Sequence, residues 1–242
     1  MPSAKRSPVW IHPDSAPSFP DPREFEAHGL VAGGGDLSPT RVLAAYRNGI
    51  FPWYDELPIL WWSPDPRAII DRESLHISRS LKRALRQTKF RVTVSTNLEG
   101  VMDGCGDREE GTWINPDMKA AFLALGRQDH VHSYEVWSDD ELVGGLYGVL
   151  VGGLFAAESK FHRRTNASKI ALVAAVTHLM NQGVHLFDVQ FTTEHLRSLG
   201  VHEVKRDTYL AQLRTAVTQT TPRPGTDENI LPQVLTLLGI NP

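Results

Sequence analysis

The sequence predicts a mixed α+β fold, with a small N-terminal unit set beside a larger body. Three observations predict it. Apolar segments at 132–137 and 141–153 face each other across Asp139-Asp140, the pattern of a hairpin. A nearly all-apolar helical stretch, T-N-A-S-K-I-A-L-V-A-A-V-T-H-L-M-N-Q-G, needs other elements to cover it on every side. Between the two units runs F-P-W-Y-D-E-L-P-I-L-W-W-S-P-D-P-R (51–67), whose prolines forbid a helix and break any long strand. These signals place a small unit at 1–66, a body at 67–218 and a tail at 219–242.

The elements follow in chain order. Residues 1–36, rich in proline and glycine, read as an arm and a loop; A-G-G-G-D lacks the spacing of a dinucleotide loop. L-S-P-T-R-V-L-A-A-Y-R-N-G is a helix: Ser38 caps it, Pro39 suits the first turn, Val42, Leu43 and Tyr46 share a face, and Gly49 ends it. I-S-R-S-L-K-R-A-L-R-Q is a second helix with Leu81, Ala84 and Leu85 on one side. Arg79, Lys82, Arg83 and Arg86 form a stripe on the other, with no acids at i±4 to balance them. A strand is expected at 90–94, helices at 97–104 and 117–126, then the hairpin and a strand at 154–161. The apolar helix is capped by Thr165 or Asn166. A strand at 185–191, helices at 193–200 and 207–217, and a last turn near 231–238 complete the chain.

The 242 residues, 41% hydrophobic and 22% charged, are those of a globular chain. No apolar run is long enough to span a membrane, and residues 1–17 lack the apolar stretch of a secretory signal. The single cysteine, Cys105, cannot form an internal disulfide, which favours the cytosol; its acidic neighbours would raise a thiol pKa and argue against a nucleophile. The net charge is −3, yet residues 67–91 hold eight Lys/Arg and two acids, a basic segment on an acidic chain that suits one anionic partner.

Chemistry is signalled by polar residues inside apolar strands. In H-L-F-D-V-Q-F, alternation sends Phe187, Val189 and Phe191 one way and Asp188 and Gln190 the other, towards water or a cleft. Glu158 stands among apolar neighbours in G-G-L-F-A-A-E-S-K-F and must be paired, hydrogen-bonded or raised in pKa. His130 and His132 have the spacing of two metal ligands without a convincing third, so no metal is expected. There is no G-x-S-x-G, H-E-x-x-H or P-loop. The three tryptophans of 51–67 are either packing between substructures or a stacking platform for a nucleobase.

The motifs H-G-L-V-A-G-G-G-D-L-S-P-T-R-V-L-A-A-Y-R-N-G-I-F-P-W-Y, P-I-L-W-W-S-P-D-P-R-A-I-I, L-H-I-S-R-S-L-K-R, D-R-E-E-G-T-W-I, A-E-S-K-F, A-S-K-I-A-L and F-D-V-Q followed by E-H-L-R-S-L-G resemble, in order and spacing, the leucyl/phenylalanyl-tRNA–protein transferases from about residue 28 to 210. The resemblance implies a C-terminal domain of the acetyltransferase (GNAT) type, with a mostly antiparallel sheet flanked by helices. It implies a bacterial cytoplasmic enzyme that needs no cofactor; a monomer is the expectation, with the oligomeric state open. Its partners would be aminoacyl-tRNA and proteins beginning with Lys or Arg, which receive Leu or Phe and are marked for degradation. By the same resemblance Asp188 and Gln190 orient the amine and relay its proton, Glu158 meets the incoming N-terminus, and Trp53 and Trp113 stack the terminal adenosine. Leu146, Phe155, Lys160, Leu172, Ala175 and Phe187 line the amino-acid pocket, while Arg79, Lys82, Arg83 and Arg86 hold tRNA phosphates. Trp61 and Trp62 are left for packing.

Three residues depart from the family pattern: Lys160 replaces a methionine, Ala175 a large aromatic and Thr193 an asparagine. The first two bear on the donor, opening methionine as a further candidate. Two other readings compete. A coenzyme A-dependent acetyltransferase would need a glycine-rich turn where H-R-R-T-N-A-S-K has no glycine. A tRNA-binding protein with altered donor specificity would explain Lys160.

Overall fold

Two sheets organise the chain in the computed structural model, which describes residues 5–109, 111–226 and 228–240. Outside them lie the start of the expected arm, Glu110 of the D-R-E-E-G-T-W-I motif, and residues 227, 241 and 242 of the expected tail. The smaller sheet is built from β1 (Val9–Ile11), β2 (Leu30–Gly34), β3 (Phe51–Pro52) and β4 (Leu60–Trp62) in the order β1-β2-β4-β3, with α1 (Pro39–Arg47) inserted before β3. The expectation of an arm and loop over 1–36 is therefore corrected. β1 has three residues and β2 is glycine-rich, so neither shows the alternation that marks a strand. The glycines have a reason: Gly34 has φ +86°, and a Cβ there would lie 2.6 Å from the Ile11 carbonyl oxygen. Trp61 is fully buried with its indole N–H on the Gly34 carbonyl at 2.8 Å, and so serves packing.

The larger sheet runs β11-β5-β10-β9-β8-β7-β6. Its strands are β5 (Arg67–Ile70), β6 (Arg91–Val94), β7 (Val131–Ser138), β8 (Glu141–Val151), β9 (Leu154–His162), β10 (Leu186–Gln190) and β11 (His202–Val204). All neighbours are antiparallel except β9 and β10. β5 and β11 are not signalled in the sequence: all four residues of β5 are buried, an arginine among them, so it shows no alternation.

Side chains alternate between two cores. Leu154, Ala156 and Leu186 join the core shared with α1, α3 (Leu98–Gly106), α4 (Pro116–Gly126), α7 (Arg206–Ala216) and the small sheet. Phe155 and Phe187 join the other, under α2 (Arg79–Gln87), α5 (Ala167–Asn181) and α8 (Leu231–Leu237). The short α6 (Glu194–Arg197) follows β10. α5 is apolar all round because it lies between the sheet and α8. Its N-cap is Asn166, one of the two residues expected there, but in a left-handed conformation and without a side-chain capping bond. In the described part of the tail, residues 226 and 228–240 pack onto the body. Thr226 exchanges backbone hydrogen bonds with Val94, and Ile230, Leu231 and Val234 are buried, so the chain covers the open edge at β6.

Candidate active site

The site begins at an irregularity in β10. Asp188 faces Ile69 of β5 while Gln190 faces Ala68, so Val189 is an extra residue, and Gln190 takes φ +59°. The simple alternation expected for 185–191 fails here. Asp188 and Gln190 do not share a cleft: Asp188 is completely buried and lines neither hollow described below, whereas Gln190 lines both.

Asp188 is saturated by hydrogen bonds. Arg67 grips it through Nε at 2.8 Å and Nη2 at 2.6 Å, Tyr209 donates its hydroxyl at 2.8 Å, and the Gln190 backbone N–H donates to Oδ1 at 2.9 Å. Burial would lower the Arg67 pKa, but the facing Asp188 charge overrides it and the pKa is raised. Arg67, counted in the basic segment of the sequence, is thus withdrawn from the surface.

Glu158 lies on β9, half-buried, with Oε1 accepting a hydrogen bond from Gln190 Nε2 at 3.0 Å. Burial pushes its carboxyl up to about 8; the Asp188 charge adds to the rise, while Tyr46, Arg67 and Gln190 oppose it. Since Glu158 opens onto a cavity, water there moderates this rise, and a filled, dry cavity strengthens it. The Tyr46 hydroxyl is buried beside it, close enough to favour the charged carboxylate though outside hydrogen-bond geometry in this structure.

A cavity of about 420 Å³ is lined by Trp53, Trp113, Glu158 and Gln190 together, with Phe51, Arg108 and Phe191 among its other walls. Trp53 is 43% exposed at its lip. The ring of Trp53 is 5.5 Å from that of Phe191, and its carbonyl accepts the Trp62 indole N–H at 2.7 Å. A second hollow of about 110 Å³ shares Glu158, Ser159, Lys160, Val189 and Gln190 with the first, and adds Leu146, Ala157, Leu172 and Leu196.

Of the six residues expected in the amino-acid pocket, Leu146, Lys160 and Leu172 line this hollow. Phe155, Ala175 and Phe187 do not: all are fully buried, the two phenylalanine rings 5.0 Å apart, their surface used in packing α5 on the sheet. Lys160 is directly opposite Leu146 across β8 and β9 and so shares its face. Burial lowers its pKa, with Arg108 acting in the same direction.

The stripe residues Arg79, Lys82, Arg83 and Arg86 are all exposed, and none has an acidic partner within 4 Å among the described residues. His132 is engaged at both ring nitrogens, by Ser95 and the Asp129 carbonyl. Among the described residues no group of three or more His, Cys, Asp or Glu is placed to hold a metal. Cys105 is buried and its thiol is pushed up to about 12, by burial rather than by the acidic neighbours named from the sequence.

Sequence reasoning missed Val189, Leu196, Arg108 and Phe191 in the walls, and Arg67 and Tyr209 behind them. One signal was present for Arg67: a charged residue opening the apolar run R-A-I-I.

Similarity to known proteins makes this chain an aminoacyltransferase. The family model described as "Leucyl/phenylalanyl-tRNA protein transferase" matches residues 69–214, and that of its N-terminal domain matches residues 35–65. A leucyl/phenylalanyl-tRNA–protein transferase from Magnetococcus marinus is 49% identical over 85% of this chain and 91% of its own length. Another from Proteus mirabilis is 50% identical over 81% and 86%. Among solved structures, a GCN5-related N-acetyltransferase-like protein from Streptococcus suis aligns over 58% of this chain and 57% of its own, at 14% identity and a TM-score of 0.35. The chain belongs to the leucyl/phenylalanyl-tRNA protein transferase family.

Proposed function

We propose that this chain moves leucine or phenylalanine from aminoacyl-tRNA to the N-terminus of cytoplasmic proteins that begin with Lys or Arg, marking them for degradation. One observation carries the reading: Trp53, Trp113, Glu158 and Gln190 line one cavity. The indoles take the terminal adenosine, the adjoining hollow takes the donor side chain, and the stripe on α2 takes tRNA phosphates.

The donor is already an activated ester, so the enzyme's task is to hold ester and amine in attack geometry, which supplies at most about 7–11 kcal/mol. The acceptor arrives largely as an ammonium group, with a pKa of about 7.7–8.0. Glu158, raised to about 8, is matched to it, so the ionised fraction of Glu158 takes the ammonium proton at little cost. The freed nitrogen attacks the carbonyl carbon, the C–N bond forms, the ester C–O bond breaks, and the remaining surplus proton goes to the departing ribose oxygen. Gln190, bonded to Glu158, orients the amine.

The test is incubation with leucyl- and phenylalanyl-tRNA and a peptide beginning with arginine. Transfer is expected; none from any charged tRNA would end the proposal. Lys160 in the donor hollow favours a second reading, tRNA binding with altered donor specificity. Lys160→Met is expected to raise leucine transfer several-fold, because it removes the cost of burying a leucine side chain beside an amine. Side-by-side transfer from leucyl-, phenylalanyl- and methionyl-tRNA measures this.

A further inference from the structure

We propose that Arg67 is a positioning residue of the transfer reaction, acting through Asp188 on Gln190. This rests on the function proposed above. Gln190 holds a left-handed backbone, φ +59°, without being glycine. Such a conformation persists where its surroundings over-determine it. Here the determinant is the Asp188 carboxylate, which accepts the Gln190 N–H at 2.9 Å while the Gln190 side chain reaches Glu158 at 3.0 Å.

Asp188 is in turn held by Arg67, through a two-point fork at 2.8 and 2.6 Å. The guanidinium is itself confined. It lies 4.7 Å from the Phe51 ring centroid and 4.6 Å from that of Tyr209, and Nη1 donates to the Gly49 carbonyl at 3.2 Å. Phe51 lines the large cavity beside Trp53, so one buried side chain joins the nucleotide lip to the strand that presents the amide. A lysine would keep the charge and lose the planar fork.

The chain of contacts predicts non-additivity. Transfer from phenylalanyl-tRNA to an arginine-initiated peptide is measured for the wild type, Arg67→Lys, Gln190→Ala and the double variant, with folding checked by circular dichroism. Arg67→Lys is expected to lower kcat on the order of 100-fold, the scale of a 1 Å misplacement. In the Gln190→Ala background the same change should cost less than about 3-fold, because the residue it positions is already gone. A general structural defect would cost the same in both backgrounds, and additive losses or a fully active Arg67→Lys would overturn the inference. If Arg67→Lys does not fold, Tyr209→Phe, which removes one hydroxyl from Asp188, passes through the same cycle with an expected 3- to 10-fold loss, about one hydrogen bond's worth. A wild type that transfers nothing overturns the function proposal and this inference together. A wild type that transfers, with additive variants, overturns this inference alone.

Discussion

Asp188 and Glu158 are two carboxylates tied to the same Gln190, in opposite surroundings. Asp188 has no solvent exposure, and every approach to it is taken by a donor: Arg67 twice, Tyr209, and the Gln190 backbone. Glu158 faces the cavity, and burial raises its pKa towards about 8. The difference separates holding a geometry from exchanging a proton. A saturated buried carboxylate is a strut, whereas a partly satisfied one at the cavity wall can meet an incoming amine.

The largest effect that tests this contrast is expected from Asp188→Ala. It leaves Arg67 charged and buried without a counter-ion, costing about 3–5 kcal/mol of stability, and it releases Gln190. Urea unfolding and the transfer assay should both register the loss. Replacing both partners by apolar residues, Arg67→Met with Asp188→Leu, should recover much of the stability and none of the activity. Recovery of both would break the contrast.

Next comes Trp53→Ala, expected to weaken aminoacyl-tRNA binding by about 1–3 kcal/mol while kcat at saturation falls less, because a stacking wall adds affinity. Titration of tRNA against initial rate separates the two.

Glu158→Gln sharpens the comparison through pH. The folded pKa of about 8 exceeds the ordinary 4.5, so the native state binds this proton more tightly than the unfolded chain. Its contribution is fully present below about pH 4.5 and is lost as pH rises towards 8. The melting temperature of Glu158→Gln, relative to wild type, should therefore climb across that window. A constant difference from pH 5 to 8 would deny Glu158 its unusual surroundings.

The smallest effect concerns α2, away from both carboxylates. Lys82→Ala with Arg83→Ala should leave saturated turnover unchanged and flatten the salt dependence of tRNA binding by about 0.7–0.9 log units per residue.

Elements that announce themselves through local periodicity were legible in the sequence: the hairpin of β7 and β8, the all-apolar α5, and α2, with Leu81 and Leu85 buried opposite its stripe. The strands that were not legible lack that periodicity, β2 because glycines let β1 approach closely and β5 because it is buried throughout. The motifs led to Trp53, Trp113, Glu158 and Gln190, which do line one cavity. The Arg67–Asp188 pair was not visible, since its partners stand 121 residues apart and nothing local to either names the other. Phe155, Ala175 and Phe187 are buried in the core and outside the wall of the smaller hollow; an apolar side chain beside a pocket and one packed in the core read alike in a sequence.

The position of Cys105 has a practical consequence. With the chain's sole sulfhydryl carried on the buried face of α3 and resistant to ionisation, alkylating reagents should find nothing to modify in the folded protein. Its labelling rate then becomes a clock for transient opening of that helix, and a probe attached through a newly introduced surface cysteine would report from one known address.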